Sequence, residues 1–320
     1  MNYLISGGMG SGGSYLAEHI LAEREDAIVF APVRWHSSSR QKENPLLSHP
    51  RFRALECDLT DASSVFRLFD QSEPKVVFNL AAHANVRASF DNPVAVFENN
   101  TKSTHNLLEA SRRFGGVKKW IMCSTSEVYG NPGEESLPIL ESHPLIPVSP
   151  YAASKVAQEM LAVSYLHSFQ IPIIITRMFT YINPRRSDLF ATAFALRLLS
   201  AKTKGEDAIS VGNLESIRTI LDVRDAVNAY LVIADEGDVG DIFNICGKTM
   251  ISVKEFLEIL CDKLKFYPQI NQDKSLLRPS DVTRQIGDSS KFRSKLGWSE
   301  NYQLEESIEF LLDALKHPSN

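Results

Sequence analysis

Tyr151 and Lys155 stand four residues apart in Tyr151-Ala152-Ala153-Ser154-Lys155, a spacing that puts a phenol and an amine on one helix face. A free tyrosine, with a pKa of about 10, is a poor base at neutral pH, and a neighbouring ammonium favours its phenolate. The phenolate then accepts a proton from a substrate hydroxyl. Thr125 comes 26 residues earlier, in Ser124-Thr125-Ser126-Glu127-Val128-Tyr129-Gly130, at the carboxyl end of a strand-like run. Ligands of open parallel sheets gather at those ends, so Thr125 is placed to hydrogen-bond the same oxygen. Alone, Tyr-x-x-x-Lys occurs by chance on amphipathic helices, and its weight depends on what accompanies it.

What accompanies it is a glycine turn, Ser6-Gly7-Gly8-Met9-Gly10-Ser11-Gly12-Gly13, set between a strand-like run and a helical one. Gly7, Gly10 and Gly13 recur at every third position. One glycine lets the chain reverse, one lets a pyrophosphate approach the backbone, and one seats the helix close to the sheet. The plain alternative is a flexible turn in a protein of other chemistry. A bound, oxidised nicotinamide further favours the Tyr151 phenolate. At the end of the second strand, residues 31–40 contain no carboxylate to meet the ribose 2′-hydroxyl of NAD. Arg34, with Arg40 and the intervening serines, suits a 2′-phosphate instead, unless the stretch is an ordinary solvated loop. The cofactor expected is NADP, with NAD as the alternative.

Short Ile- and Val-rich runs at 3–6, 27–33, 75–80, 119–124 and 171–177 read as strands buried on both faces, with helical patterns at 14–23, 94–114 and 151–168 between them. That alternation predicts an α/β fold, a Rossmann-type doubly wound parallel sheet with a smaller C-terminal substrate-binding lobe. Residues 1–177 form the dinucleotide-binding domain, with 216–247 returning to it, and 178–215 and 248–320 form the lobe. Beyond residue 177 the expected elements are strands at 209–211 and 242–245 and helices at 191–199, 225–234, 252–264 and 305–316. Asp225, ahead of an apolar helical run, reads as an N-terminal cap. His83 reads as a strand-end histidine.

Among the 320 residues, 43% are hydrophobic and 23% charged, and the formal net charge is −5, which excludes the basic character of a nucleic-acid binder. The four cysteines, Cys57, Cys123, Cys246 and Cys261, show neither metal-site nor disulfide spacing. No apolar run is long enough to span a bilayer, and no basic leader precedes the first strand. A cytoplasmic protein without membrane or nucleic-acid partners is the expectation.

In this order, the glycine turn, Asp58-Leu59, Asn79-Leu80-Ala81-Ala82, Asn100, Ser124-Thr125-Ser126-Glu127, Ser149-Pro150-Tyr151 through Lys155, and Arg278-Pro279-Ser280-Asp281-Val282 through Leu296-Gly297-Trp298 resemble the extended short-chain dehydrogenase/reductases that act on nucleotide sugars. The resemblance implies that Asp58 and Leu59 flank the adenine, that Leu80, Ala81 and Ala82 line the ribose and pyrophosphate, and that Asn100 lies near the cofactor. It places Ser89, Arg185, Arg186, Arg218 and Arg278 on the substrate, although Arg185 and Arg186 also suit a solvated loop. Thr125-Ser126-Glu127 is most similar to the version in GDP-mannose 4,6-dehydratases. The implied cycle oxidises C4 with Tyr151 as base, removes the C5 proton with Glu127, expels water from C6 and returns the hydride there. Thr125, Ser126, Glu127, Tyr151 and Lys155 are the implied catalytic set. The same string also resembles nucleotide-sugar decarboxylases. A 4-keto-sugar reductase or epimerase on this scaffold, and a non-enzymatic dinucleotide sensor, are the other readings. Three departures stand out: Trp35 where a second basic residue is usual, Thr180 where an Asn is common, and Ile182-Asn183-Pro184 in place of Tyr-Gly-Pro. The family also implies a homodimer or higher homo-oligomer, joined through 94–114 and 151–168.

Overall fold

The computed structural model describes residues 1–34, 44–273, 276–277 and 282–317. Up to Met178 it runs β1 (Asn2–Ser6), α1 (Ser11–Glu23), β2 (Ile28–Val33), β3 (Phe52–Glu56), α2 (Ala62–Ser72), β4 (Val76–Asn79), α3 (Val86–Asp91), α4 (Pro93–Phe114), β5 (Lys119–Thr125), α5 (Pro150–Phe169) and β6 (Ile173–Met178). There follow β7 (Thr180–Ile182), α6 (Phe190–Lys204), β8 (Ala208–Val211), β9 (Ile217–Asp222), α7 (Val223–Glu236), β10 (Ile242–Ile245), β11 (Thr249–Ser252), α8 (Val253–Leu264), β12 (Gln269–Gln272), β13 (Arg284–Gln285), α9 (Ser290–Leu296) and α10 (Leu304–Lys316).

Seven strands pair in parallel in the order β10-β6-β5-β4-β1-β2-β3. The inner strands are apolar on both faces and need helices on both sides, which makes the Rossmann-type layered fold. One core joins α1 and α7 to the sheet through Leu16, Ile20, Val227 and Phe243. On the other face Leu107, Trp120 and Ala162 bury α4 and α5. The strand order reverses at β1, which pairs with β2 on one side and β4 on the other, so a crevice opens beyond Ser6 and Asn79.

A second core around Phe194, Leu198, Phe256 and Leu311 belongs to the lobe, whose small sheet centres on β9 flanked by β7, β11 and β13. The stretch 216–247 therefore divides: β10 joins the large sheet and β9 the small one, because β9 finds edge partners on both sides in the lobe. The cap of α7 is also one turn earlier than expected. Asp222 is the N-cap, accepting from the Arg224 N–H at 2.7 Å. Asp225, 1% exposed, instead accepts from the Asn301 and Tyr302 main-chain N–H groups at 2.9 and 3.1 Å, tying down the segment that leads into α10.

Candidate active site

Thr125 closes β5 and caps the one-turn 3₁₀ helix Ser126–Tyr129, its hydroxyl oxygen accepting from the Glu127 N–H at 3.3 Å. On the facing element, Ser149 caps α5 by accepting from the Ala152 N–H at 3.1 Å, and Pro150 occupies the first helical position. Tyr151 thus begins the helix and Lys155 follows one turn on. Thr125, Ser126, Glu127, Tyr151 and Lys155 all line one cavity of about 470 Å³, with Thr180, Arg186 and Arg218 on its lobe side.

Tyr151 and Lys155 are nearly sealed from solvent, at 8% and 2% exposure. Burial pushes the Tyr151 phenol up to about 12; the Arg186 guanidinium lowers it, the Glu127 carboxylate raises it, and a hydrogen bond with Thr125 lowers it. Burial brings Lys155 down to about 8, while Cys123 and Glu159 work the other way. Its amine donates to the Cys123 carbonyl at 2.7 Å. The expectation of a phenol acidified by its neighbouring amine is corrected for the protein alone: burial dominates, and Arg186 is the leading cation acting on Tyr151.

A buried ion pair joins the segment that carries Thr125 and Glu127 to the helix that carries Tyr151 and Lys155. Arg177 donates to the Glu159 carboxylate through Nε, at 3.2 Å to each oxygen, and through Nη2 at 2.8 Å, with neither side chain more than 5% exposed. The same guanidinium donates to the Tyr129 hydroxyl at 3.0 Å, and that hydroxyl donates to Asn244 Oδ1 at 2.7 Å. Glu159 is one turn beyond Lys155 and Tyr129 is two residues beyond Glu127, so one side chain holds both segments in register.

A second groove, of about 570 Å³, runs along the glycine turn and is lined by Gly7, Gly10, Gly13, Arg34, Asp58, Leu59, Leu80, Ala81 and Ala82. The geometry there suits a pyrophosphate. A Cβ on Gly13 would lie 2.1 Å from the Gly7 carbonyl oxygen, and Gly7 itself has φ +76. The start of α1 has no side-chain cap, so its first N–H groups remain for an anion. Leu80, Ala82, Tyr181 and Arg186 line both the groove and the cavity, which therefore meet beside Tyr151.

Other expected residues sit elsewhere. Asn100 is fully buried behind the groove, accepting from the His83 N–H at 2.7 Å and donating to Ser154 Oγ at 2.9 Å, so it supports the wall rather than lining it. His83 lines the groove. Ser89, placed on the substrate by resemblance, is corrected: it is 0% exposed and its hydroxyl donates back to the Val86 carbonyl within α3. Arg185 faces the groove along the glycine turn instead of the cavity, held by Ser14 Oγ at 2.9 Å and Glu18 at 2.8 Å and stacked on Tyr15. Asn183, the departure from the usual glycine, is fully buried and donates to the Ser11 carbonyl at 3.2 Å, fastening this loop to the glycine turn. Arg218 lines the cavity, but its guanidinium donates to the carbonyls of Ile217 at 2.9 Å and Thr283 at 3.1 Å and to that of Val282. Trp35, Arg40 and Arg278 lie outside the described residues. Arg87, Arg197, Tyr181 and Gln285 also line the cavity and carried no motif by which sequence reasoning could find them.

A family profile described as GDP-mannose 4,6 dehydratase matches residues 4–311. The chain belongs to that family. It is 29% identical over 351 residues to a GDP-mannose 4,6-dehydratase of Vibrio cholerae, covering 98% of this chain and 93% of the relative. It is also 29% identical over 314 residues to a trifunctional UDP-glucose 4,6-dehydratase/UDP-4-keto-6-deoxy-D-glucose 3,5-epimerase/UDP-4-keto-L-rhamnose-reductase of Arabidopsis thaliana. That match takes in 98% of this chain but only 46% of the relative, so the chain spans about half the length of the plant protein. Among solved structures, a UDP-glucuronic acid 4-epimerase from Bacillus cereus in complex with UDP-glucuronic acid and NAD superimposes with a TM-score of 0.88 at 26% identity, covering 99% of this chain and 100% of that one. Family members thus include nucleotide-sugar dehydratases, reductases and epimerases. Among the described residues no helix is long and apolar enough to cross a membrane.

Proposed function

We propose that the chain is an NADP-dependent nucleotide-sugar 4,6-dehydratase acting on a GDP-hexose. The observation that carries this reading is Glu127: a half-buried carboxylate on the turn after Thr125, lining the same cavity as Tyr151 and close enough to raise its pKa. A reaction confined to C4 needs Thr125, Tyr151 and Lys155; a second base in the same cavity provides for a second proton, the one on C5.

Gly7, Gly10, Gly13 and the start of α1 hold the pyrophosphate in this reading, Asp58 and Leu59 the adenosine, and Arg34, at the end of β2, the 2′-phosphate that distinguishes NADP. A nicotinamide bound there would supply a reversible hydride acceptor for oxidation at C4 and reduction at C6, so no cofactor would be consumed. Tyr151 accepts the C4 hydroxyl proton with Thr125 holding the same oxygen. The resulting ketone acidifies C5; Glu127 takes that proton and passes it to the departing C6 hydroxyl, which leaves as water, and C5 is reprotonated from solvent as C6 is reduced. The lobe, 178–215 with 248–320, supplies the nucleotide side through Arg186 and Arg218. Val94, Phe97, Met160 and Phe169 are each more than 40% exposed on α4 and α5, which supports pairing of these helices between two copies.

The test is incubation with GDP-mannose in deuterated water without added NADPH. The expected product has lost one water and carries one deuterium at C5. Glu127→Gln is expected to bind cofactor normally and to lose about 10²–10⁴-fold in turnover. Full turnover by that variant would remove Glu127 from the C5 step; no product from GDP-mannose, together with stoichiometric NADPH consumption when NADPH and a 4-keto sugar nucleotide are supplied, would replace this reading with a reductase.

A further inference from the structure

Gln285 lies on β13 with its Cα in register with that of Arg218 on β9, so both side chains leave the same face of the small sheet. Both line the cavity. Gln285 is 3% exposed, and among the described residues nothing accepts from its Nε2. Buried amide donors are rarely left so, because the lost water hydrogen bonds are not replaced. The backbone around it is fixed. Thr219 Oγ1 donates to the Gln285 carbonyl at 3.4 Å, and Ile286 and Asp288 bond to the main chain of Ile139 at 2.8 and 3.0 Å. The cavity wall is cationic: Arg87, Arg186, Arg197 and Arg218 stand against Glu127 and Asp188, and Asp188 is itself paired with Arg186. Arg218 already spends much of its donor capacity on three carbonyls of its own sheet.

Resting on the nucleotide-sugar reading, we propose that Gln285 is a substrate-binding residue whose amide N–H donates to a phosphoryl oxygen of the nucleoside diphosphate. A buried donor that only an oxygen acceptor can satisfy discriminates strongly against ligands lacking one at that point. The donor serves binding in the ground state and transition state alike, so its loss raises KM and leaves kcat in place.

The experiment is calorimetric titration of the ligand-free protein with GDP and with UDP, for wild type, Gln285→Leu and Gln285→Glu. The Leu variant is expected to bind the diphosphate about tenfold or more weakly, with kcat at saturation within about twofold of wild type. The Glu variant sets a carboxylate against the phosphates and is expected to lose about 100-fold or more. Ligand-free Gln285→Leu is expected to melt no lower than wild type, since an unsatisfied polar group has been removed. Unchanged diphosphate affinity in the Leu variant overturns the assignment, as does a loss seen only with the complete nucleotide sugar, which would move the contact to the sugar. A Leu variant that melts several degrees lower shows the amide to be structural and also overturns it. If wild type binds neither diphosphate, the nucleotide-sugar reading itself falls and takes this assignment with it. Normal wild-type binding matched by the Leu variant rejects only Gln285.

Discussion

Lys155 offers a measurement that needs neither substrate nor cofactor. Burial holds its amine at about 8, against 10.5 for an exposed lysine. Between those two pH values the unfolded chain binds more protons than the folded one, so stability rises with pH across the window. The cost of burying the charge is fully present below about pH 8 and is gone above about 10.5. At about 1.4 kcal/mol per pH unit of displacement, the total is about 3 kcal/mol. Cys123 and Cys246, whose thiols burial pushes up to about 12 and about 11, and Tyr129 and Tyr151, both pushed up to about 12, work in the opposite direction above pH 9 to 10. The quantity to measure is therefore the difference between wild type and Lys155→Met. The methionine keeps most of the stem and removes the titration, while the lost bond to the Cys123 carbonyl adds an offset that does not vary with pH. Urea unfolding followed by the fluorescence of buried Trp120 at half-unit steps from pH 7 to 10.5 should show wild type gaining about 3 kcal/mol on the variant, steepest midway between the two pKa values, at about pH 9. Parallel curves would mean that Lys155 titrates as an ordinary lysine and would remove the electrostatic basis for its part in the site.

Three further perturbations have definite outcomes. Gly13→Ala drives a methyl into the Gly7 carbonyl 2.1 Å away and should abolish dinucleotide binding in a fluorescence titration, whereas Gly12→Ala, whose nearest neighbour is a Tyr181 hydroxyl at 3.2 Å, should retain measurable binding. Glu159→Ala strands the buried Arg177 guanidinium and should cost about 3–5 kcal/mol in chemical denaturation; the double variant Glu159→Met/Arg177→Met should cost less than the single one, because no uncompensated charge remains. Asp225→Ala leaves the Asn301 and Tyr302 N–H groups without their acceptor and should open the chain between α9 and α10 to limited proteolysis before the rest of the fold is lost.

The inner strands were legible because burial on both faces leaves an unbroken apolar run, and α1, α4 and α5 because apolar stripes run along them; α2, although capped by Asp61, was missed. Observed and expected bounds differ by one or two residues for β5 and α5, and by more where a helix runs on past its apolar stripe, as α6 does to Lys204. Edge strand β3 was missed for the same physical reason: Phe52 is buried while Arg53 and Glu56 face water, so the run never looks like a core strand. In the lobe, β13 is two residues long and exists only because β9 accepts it as a partner. Nothing local marks Gln285 as a cavity residue. The glycine turn, Thr125, Tyr151 and Lys155 stood out by residue type and spacing, and Glu127 by its place in a string that resembles the family's. Arg186 was visible only as one of two adjacent arginines, and its place beside Tyr151 follows from long-range packing. So does the exclusion of Ser89, since a hydroxyl turned back on its own helix cannot be told from one turned outward until the helix is placed.

The coupling between Tyr151 and Glu127 bears on the order of the proposed steps. The Glu127 carboxylate raises the cost of a negative charge on the Tyr151 phenol, and Arg186 opposes it there. A site holding phenolate and carboxylate together is therefore strained electrostatically, and whichever group first takes a proton relieves it. If the phenolate takes the C4 hydroxyl proton first, it does so as a stronger base than it would be without Glu127, and the carboxylate then faces a neutral phenol. The reverse order would spend the carboxylate before C5 is acidified by a ketone, when the proton it must remove is far out of its reach. Electrostatics and carbon acidity thus favour the same sequence. The turn that carries Glu127 is fastened through Tyr129 and Arg177 to the helix that carries the phenol, so the proposed order depends on that buried ion pair holding the two groups in place.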